Sequence, residues 1–197
     1  MASTDIVSRL RSIVRMEKPK SDAAHSWAAV AVIINTCLNA ILIGKRTINP
    51  EDPWSGDAAF PGGRFKQGVD NDLVETAIRE TREEVGLDLN SDAELLGVLE
   101  PLSPSNAPSI SVVPAIFALR NCNPALSINK VELSKVLWLN INDIPKYVKV
   151  DVDIKGMKRP AIVIEDMVIW GLTYRILRRI LKETIGMVLP RDPRDID

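Results

Sequence analysis

Two apolar, β-branched runs, WAAVAVIIN and LNAILIGKR, are separated only by Thr36 and Cys37. Runs of this composition and length read as the strands of a hairpin buried on both faces, and such a sheet must be covered on both sides. A chain of 197 residues has the length to do this within one domain.

The rest of the sequence supplies the cover. Ile6, Leu10, Ile13 and Val14 recur at helical spacing behind a Ser3-Thr4-Asp5 cap signal. This first helix can pack on the domain or on a second subunit. EKPKSD follows as a linker, and TINPEDPWSGD is a long loop rich in turn formers. Leu73 to Val85 is predicted helical, with Gly86 as its stop. ELLGVLEPL, ISVVPAIFAL and KVLWLNI read as strands, with Pro114 marking an edge or a bulge. NDIPKYV is a helical turn, and RPAIVIEDMVIWG gives two short strands around Glu165 and Asp166. LTYRILRRILKETI closes the chain as an amphipathic helix before a PRDPRDID tail. The coarse result is a mixed sheet flanked by helices, α+β or α/β.

Charge and composition exclude several functions. Lys plus Arg number 25 against 26 Asp plus Glu, so no basic field draws in nucleic acid. The one histidine, His25, has no partners at zinc or triad spacing and reads as an ordinary residue entering a strand. Cys37 and Cys122 stand in unrelated segments and are expected to be free, buried thiols in a reducing compartment. No signal-type core and no apolar run near the roughly 20 residues of a membrane span appears. A cytoplasmic protein without membrane partners is the expectation.

The chemistry concentrates in FPGGRFKQGVDNDLVETAIRETREEVGL, residues 60–87. At about 100° per residue, Val74, Ala77, Ile78, Thr81 and Val85 form one stripe facing the sheet. Glu80, Glu83 and Glu84 fall in an arc beside it, and Arg79 lies four residues before Glu83, where it can pair with it. Three crowded carboxylates repel one another unless something cationic sits among them. A hard divalent cation with oxygen ligands, Mg²⁺ or Mn²⁺, complements them. Gly62 and Gly63 let the preceding backbone approach the same point without a Cβ, so a carbonyl there, from Gly62, could complete the coordination.

These residues resemble the Nudix hydrolase family, whose box is G-x5-E-x7-R-E-U-x-E-E-x-G-U with U aliphatic. Arg79-Glu80-Thr81-Arg82-Glu83-Glu84-Val85-Gly86-Leu87 matches its second half, with Thr81 in an aliphatic position, and Gly63 matches its opening glycine. Val69 stands at the early glutamate, and the spacing onward to Arg79 is two residues too long. The FPGGR run, LIGKRTINPEDPWSGDAAFPGG, VELSKVLWLNINDIP and IWGLTYRIL are similar to the branch of coenzyme A pyrophosphatases.

The resemblance implies a mixed sheet sandwiched between helices over residues 23–197, with residues 1–22 an additional N-terminal helix and linker. It implies hydrolysis of a nucleoside diphosphate linked to a group X, coenzyme A-like substrates preferred. Other nucleotides (ADP-ribose, dinucleotides, oxidised triphosphates) and a module that binds without cleaving are the alternatives. Glu80 and Glu84 are first-choice metal ligands, Glu83 is ligand or proton acceptor, and Arg79 orients a glutamate. Glu132 is the candidate base outside the box, its alternative being a solvated acid flanking a strand; Glu100 is a weaker one. Arg46 and Arg64 are candidates for phosphate contacts or plain surface arginines. Trp54 either stacks on a base or packs under its loop, Phe60 packs, and Lys45 is a solvated neighbour. A small nucleotide is the expected partner, and the first helix with the MVIWG segment suggests a homodimer.

Overall fold

The computed structural model describes residues 3–17, 19, 21 and 26–194, with the backbone alone for residues 3–5. His25, the side chains of the Ser3-Thr4-Asp5 cap and the end of the tail lie outside the described residues.

The hairpin forms as its composition demands. β1 (Ser26–Asn35) and β2 (Ala40–Arg46) pair antiparallel, with Ile34 opposite Ile41. β3 (Ala58–Ala59) joins β2, and β4 (Gly62–Arg64) folds back on β1. β5 (Ala93–Val98), β6 (Ile110–Leu119) and β7 (Leu133–Asn140) complete a seven-stranded mixed sheet. Its path runs β3-β2-β1-β6-β5, with β7 against β2 and β1–β6 the parallel pair.

Alternation along the pleat sends side chains to two cores. Val32, Ile34, Ile41, Ile43 and Ile116 face one, while Ala31, Ile33, Leu42, Ala115 and Phe117 face the other. The first is covered by α1 (Ser3–Ile13) and α5 (Gly171–Ile185) through Ile6, Leu10, Tyr174, Leu177 and Leu181. The second is covered by α2 (Leu73–Val85) through Leu73, Val74, Ala77 and Val85. Each fully buried Leu, Ile or Val among these contributes about 1.5–3 kcal/mol. The sheet is thus sandwiched between helices. The first helix packs on its own chain, where Arg9 Nη1 also donates to the Thr184 carbonyl at 2.8 Å.

Three expectations are corrected. Pro114 lies in β6, an interior strand rather than an edge; the β5 ladder ends at Val98–Ala115, so no rung needs a donor at Pro114. Cys37 and Cys122 are neither free nor buried: they form a disulfide on the surface. Parallel pairing of β1 with β6 brings the two strand ends together, and Asn35 fastens both segments, donating to the Cys122 carbonyl and accepting from the Cys37 N–H. Lys45 is not merely solvated, since its ammonium lies 2.6 Å from Asp166.

A second, three-stranded sheet contains β8 (Val148–Ile154), β9 (Met157–Ile164) and β10 (Met167–Ile169). Between the sheets, a 3-10 turn (Ile141–Asp143) runs into the short helix α4 (Ile144–Tyr147); another, α3 (Leu89–Asp92), precedes β5. Among the described residues, no helix is long and apolar enough to cross a membrane.

Candidate metal and phosphate site

Helix α2 starts and stops where its end residues dictate. Asp72 caps the first turn by accepting from the Val74 and Glu75 N–H groups, and Gly86 ends it in the left-handed region at φ 71°. Thr81, which stands where an aliphatic residue is usual, is fully buried and donates its hydroxyl to the Ala77 carbonyl at 2.7 Å. The polar atom is thereby satisfied inside the core.

Glu80 and Glu84 sit on the buried side of this helix, at 8% and 3% exposure. Exposed Glu132 joins them, and one carboxylate oxygen from each of the three lies within 4.8 Å of the others. The approach of Glu132 follows from the helix end. Carbonyls at the C-terminus of α2 need donors, and the N–H groups of Ser127 and Asn129 bond to the carbonyls of Val85 and Glu84. The turn then closes from Glu132 N–H to the Asn129 carbonyl, while the Asn129 carboxamide donates to the Glu132 carboxylate at 3.0 Å. A Cβ on Gly86 would stand 2.8 Å from Ser127, so this docking requires the glycine twice over.

The glycine pair is fitted to the carboxylates. Gly62 donates its N–H to Glu84 Oε2 at 3.1 Å, and a Cβ there would lie 2.3 Å from the Ala29 carbonyl oxygen. A Cβ on Gly63 would lie 2.5 Å from the Glu80 carboxylate carbon. The backbone therefore makes the room that Glu80 fills.

Glu83 stands apart from this group. It faces solvent and takes an ion pair from Arg79 at 3.2 Å and from Lys66 at 3.7 Å. The principal partner of Arg79 is a residue the sequence did not point to, Asp70, whose side chain is 2% exposed. Asp70 accepts Nε and Nη2 of Arg79 at 2.7 and 2.9 Å, together with the Lys66 N–H and the Thr76 hydroxyl. Arg79 also reaches Glu80 at 2.5 Å and the Arg64 carbonyl at 3.1 Å. The two residues that lengthen the box are thus accounted for by a turn from Lys66 that delivers a buried carboxylate. Val69 itself is exposed. Glu100 pairs with Arg15, outside the carboxylate group.

Electrostatics separate these acids. Burial, then the charges of Glu80 and Glu132, push Glu84 up to about 8 against the pull of the Gly62 N–H and Arg46. For Asp70, burial alone would raise the value, but hydrogen bonds from Arg79, Lys66 and Thr76 outweigh it and hold the carboxyl below the usual range. Hydrogen bonding to Asp70 in turn fixes Arg79 in its charged form.

A cavity of about 450 Å³ opens beside the glycine pair. Arg46, Arg64 and Trp54 line it. Arg46 is held by Asp52, with Nε at 2.8 Å, Arg64 is exposed, and Trp54 packs on Ala28, Ile110 and Val112. Phe60 is buried in the core.

The donor set, carboxylate oxygens from three residues gathered within 4.8 Å, fits a hard divalent cation.

Comparison with known proteins gives the family. The family model described as NUDIX domain matches residues 25–158, more than half of the chain. The Nudix hydrolase NudL of Yersinia pestis is 31% identical over 168 residues, covering 82% of this chain and 81% of that protein. NudL of Yersinia enterocolitica is 28% identical over 91% of this chain and 92% of its own length. The fold is shared with the NUDIX hydrolase from Nitrosomonas europaea, at TM-score 0.54, 15% identity and coverage of 91% of this chain and 90% of that one. The MutT protein from Methanosarcina mazei gives 0.52 at 18% identity, covering 86% and 98%. Sequence and fold lead to one assignment: the chain belongs to the Nudix hydrolase family.

Proposed function

We propose that the chain is a metal-dependent pyrophosphohydrolase that cleaves a nucleoside diphosphate linked to a group X, with coenzyme A-like substrates preferred. The observation that carries this reading is the meeting of Glu80, Glu84 and Glu132 within 4.8 Å, beside glycines that leave no Cβ in the way. Glu80 and Glu84 would hold Mg²⁺ or Mn²⁺ with Glu132, and the Gly62 carbonyl is a further candidate ligand. A divalent cation bound there supplies charge for the diphosphate oxygens and lowers the pKa of an attacking water.

The chain's own residues do the positioning on which such a reaction depends. Arg79, anchored by Asp70, fixes the Glu80 carboxylate. Gly62 N–H orients Glu84. Arg46 and Arg64 face the cavity with donors for phosphate oxygens, and Trp54 offers a surface for a base or for X. Glu132, held by Asn129, belongs to the ligand group, which leaves Glu83, exposed and paired with Arg79 and Lys66, as the candidate proton acceptor. Preference for coenzyme A rests on the FPGGR run and its flanking segments.

The proposed ligand is a small nucleotide rather than a nucleic acid or a membrane. Both segments that suggested a homodimer are packed within the chain, with Ile6, Leu10, Met167 and Ile169 buried. A panel of coenzyme A, ADP-ribose, dinucleotides and oxidised triphosphates, with Mg²⁺ and Mn²⁺ and products identified by mass, tests the reading. Cleavage of coenzyme A at its diphosphate is expected. Activity on triphosphates alone would displace the preference, and tight binding without product would favour a non-catalytic module.

A further inference from the structure

Arg175, Arg178, Arg179 and Lys182 recur three and four residues apart along α5, on the face away from Tyr174, Leu177 and Leu181. With Arg191 and Arg194 they line a second cavity, of about 1230 Å³. Against these six cations, the described lining offers two carboxylates, Glu100 and Glu183. Glu100 also pairs with Arg15, and Glu183 takes the Nε of Arg179 at 3.3 Å. Asp192, which takes Arg194 at 2.9 Å, is shared with Arg159. The whole chain carries a net charge of −1, so this positive excess is local. Like charges gathered in one concavity repel, and an anion among them relieves the repulsion. The C-terminus of α5 favours a cation at Lys182. It does not account for Arg175 and Arg178, which stand earlier, or for Arg191 and Arg194, which stand beyond it.

The walls of this cavity are fixed in place. Leu102 and Val112 of β6 exchange both backbone hydrogen bonds, and Arg175 Nη1 donates to the Ser103 carbonyl at 2.9 Å. On the other side the Tyr174 hydroxyl donates to the Pro190 carbonyl at 2.9 Å, and Arg194 Nη2 to the Lys158 carbonyl at 2.8 Å. Pro101, Pro104, Pro108 and Pro190 stiffen both walls, so a ligand entering has little chain to order. The charge is accessible: the side chains of Arg179 and Arg194 are 32% and 42% exposed, and Lys182 and Arg191 are exposed. Guanidinium forks match phosphate oxygens two at a time. A concavity walled on two sides suits a compact ligand better than a duplex or a flat membrane. We propose that this cavity is a second binding site, for a small ligand bearing several phosphates. Arg179 and Lys182 hold it from α5, and Arg191 and Arg194 from the opposite wall.

Titration calorimetry of the full chain with inorganic tripolyphosphate, in chelator, tests this. Without a divalent cation the carboxylate group repels that anion, so the binding observed belongs elsewhere. Saturable binding that weakens with added salt is expected. Arg179→Gln combined with Lys182→Gln should raise Kd by about tenfold or more, as for one lost charge-assisted hydrogen bond. Arg64→Gln, in the cavity beside the glycine pair, should leave Kd unchanged. A second measurement needs no substitution: in ¹⁵N spectra of the wild type, the amides of Ser103 and Lys182 should move on adding tripolyphosphate, and those of Gly62 and Gly63 should not. A hexaglutamate peptide, standing for an acidic protein segment, should bind more weakly than tripolyphosphate. Absence of saturable binding, an unchanged Kd in the folded double variant, shifts at Gly62 and Gly63 alone, or tighter binding of hexaglutamate would overturn the proposal.

Discussion

A carboxyl buried as deeply as Glu84 keeps its proton up to about 8, whereas an exposed one would lose it near 4.5. Between those values the folded, metal-free chain binds more protons than the unfolded chain, so its stability falls as pH rises through that window. Glu84→Gln should therefore raise the Tm of the metal-free protein at pH 9 and change it little at pH 5, by thermal melts in chelator. An unchanged Tm at pH 9 would contradict the assignment. Binding of Mg²⁺ at pH 7 should also expel close to one proton, measured by titration calorimetry in buffers of different ionisation heat. The two glycines separate in the same way. Gly63→Ala meets only the end of the Glu80 side chain, so the fold should survive while metal affinity drops about 10–100-fold. Gly62→Ala meets the Ala29 backbone and should unfold the strand pair instead. At this scale the sequence revealed Glu80, Glu84 and the glycines, because they share one helix and one loop. Glu132 was legible only through the resemblance, since its approach depends on a turn docking at the end of α2.

The element that most alters the initial reading is the loop between β4 and α2. Its excess length looked like a defect in the box, yet it places Asp70 under Arg79 with a side chain almost wholly buried. Removing one partner of such a pair strands the other charge. Asp70→Asn is expected to cost roughly 3 kcal/mol in urea unfolding, and to weaken metal binding because Arg79 no longer holds Glu80. The carboxyl titrates below its usual range, so its contribution is present above the unfolded value of 3.8 and is lost as pH falls through the folded one. A pairing across nine residues and a turn leaves no periodic trace. Strand β8 escaped for a different reason: VKVDVDI is mostly exposed, so its alternation carries charges rather than a core face. The apolar strands and the amphipathic helices were plain because burial on a fixed period is what they consist of.

Over the whole molecule, one sheet separates two cores, and the segments that leave its neighbouring parallel strands β1 and β6 are tied by the Cys37–Cys122 bond, 85 residues apart in sequence. Neither cysteine adjoins the other in any local pattern, and only the parallel β1–β6 pairing makes them neighbours. Reduction should lower stability by up to ~4 kcal/mol, read from denaturant midpoints with and without reductant. It should leave kcat and KM unchanged, because the bond joins the far end of β1 from the glycine pair, which pairs at Ala29 and Val30. The central claim, that Glu80, Glu84 and Glu132 together hold the cation for diphosphate cleavage, is tested most directly by turnover at saturating Mg²⁺ in wild type and Glu84→Gln, with folding checked by circular dichroism. The account predicts a loss of about 10²-fold or more in kcat by a fully folded variant; near wild-type turnover would contradict it.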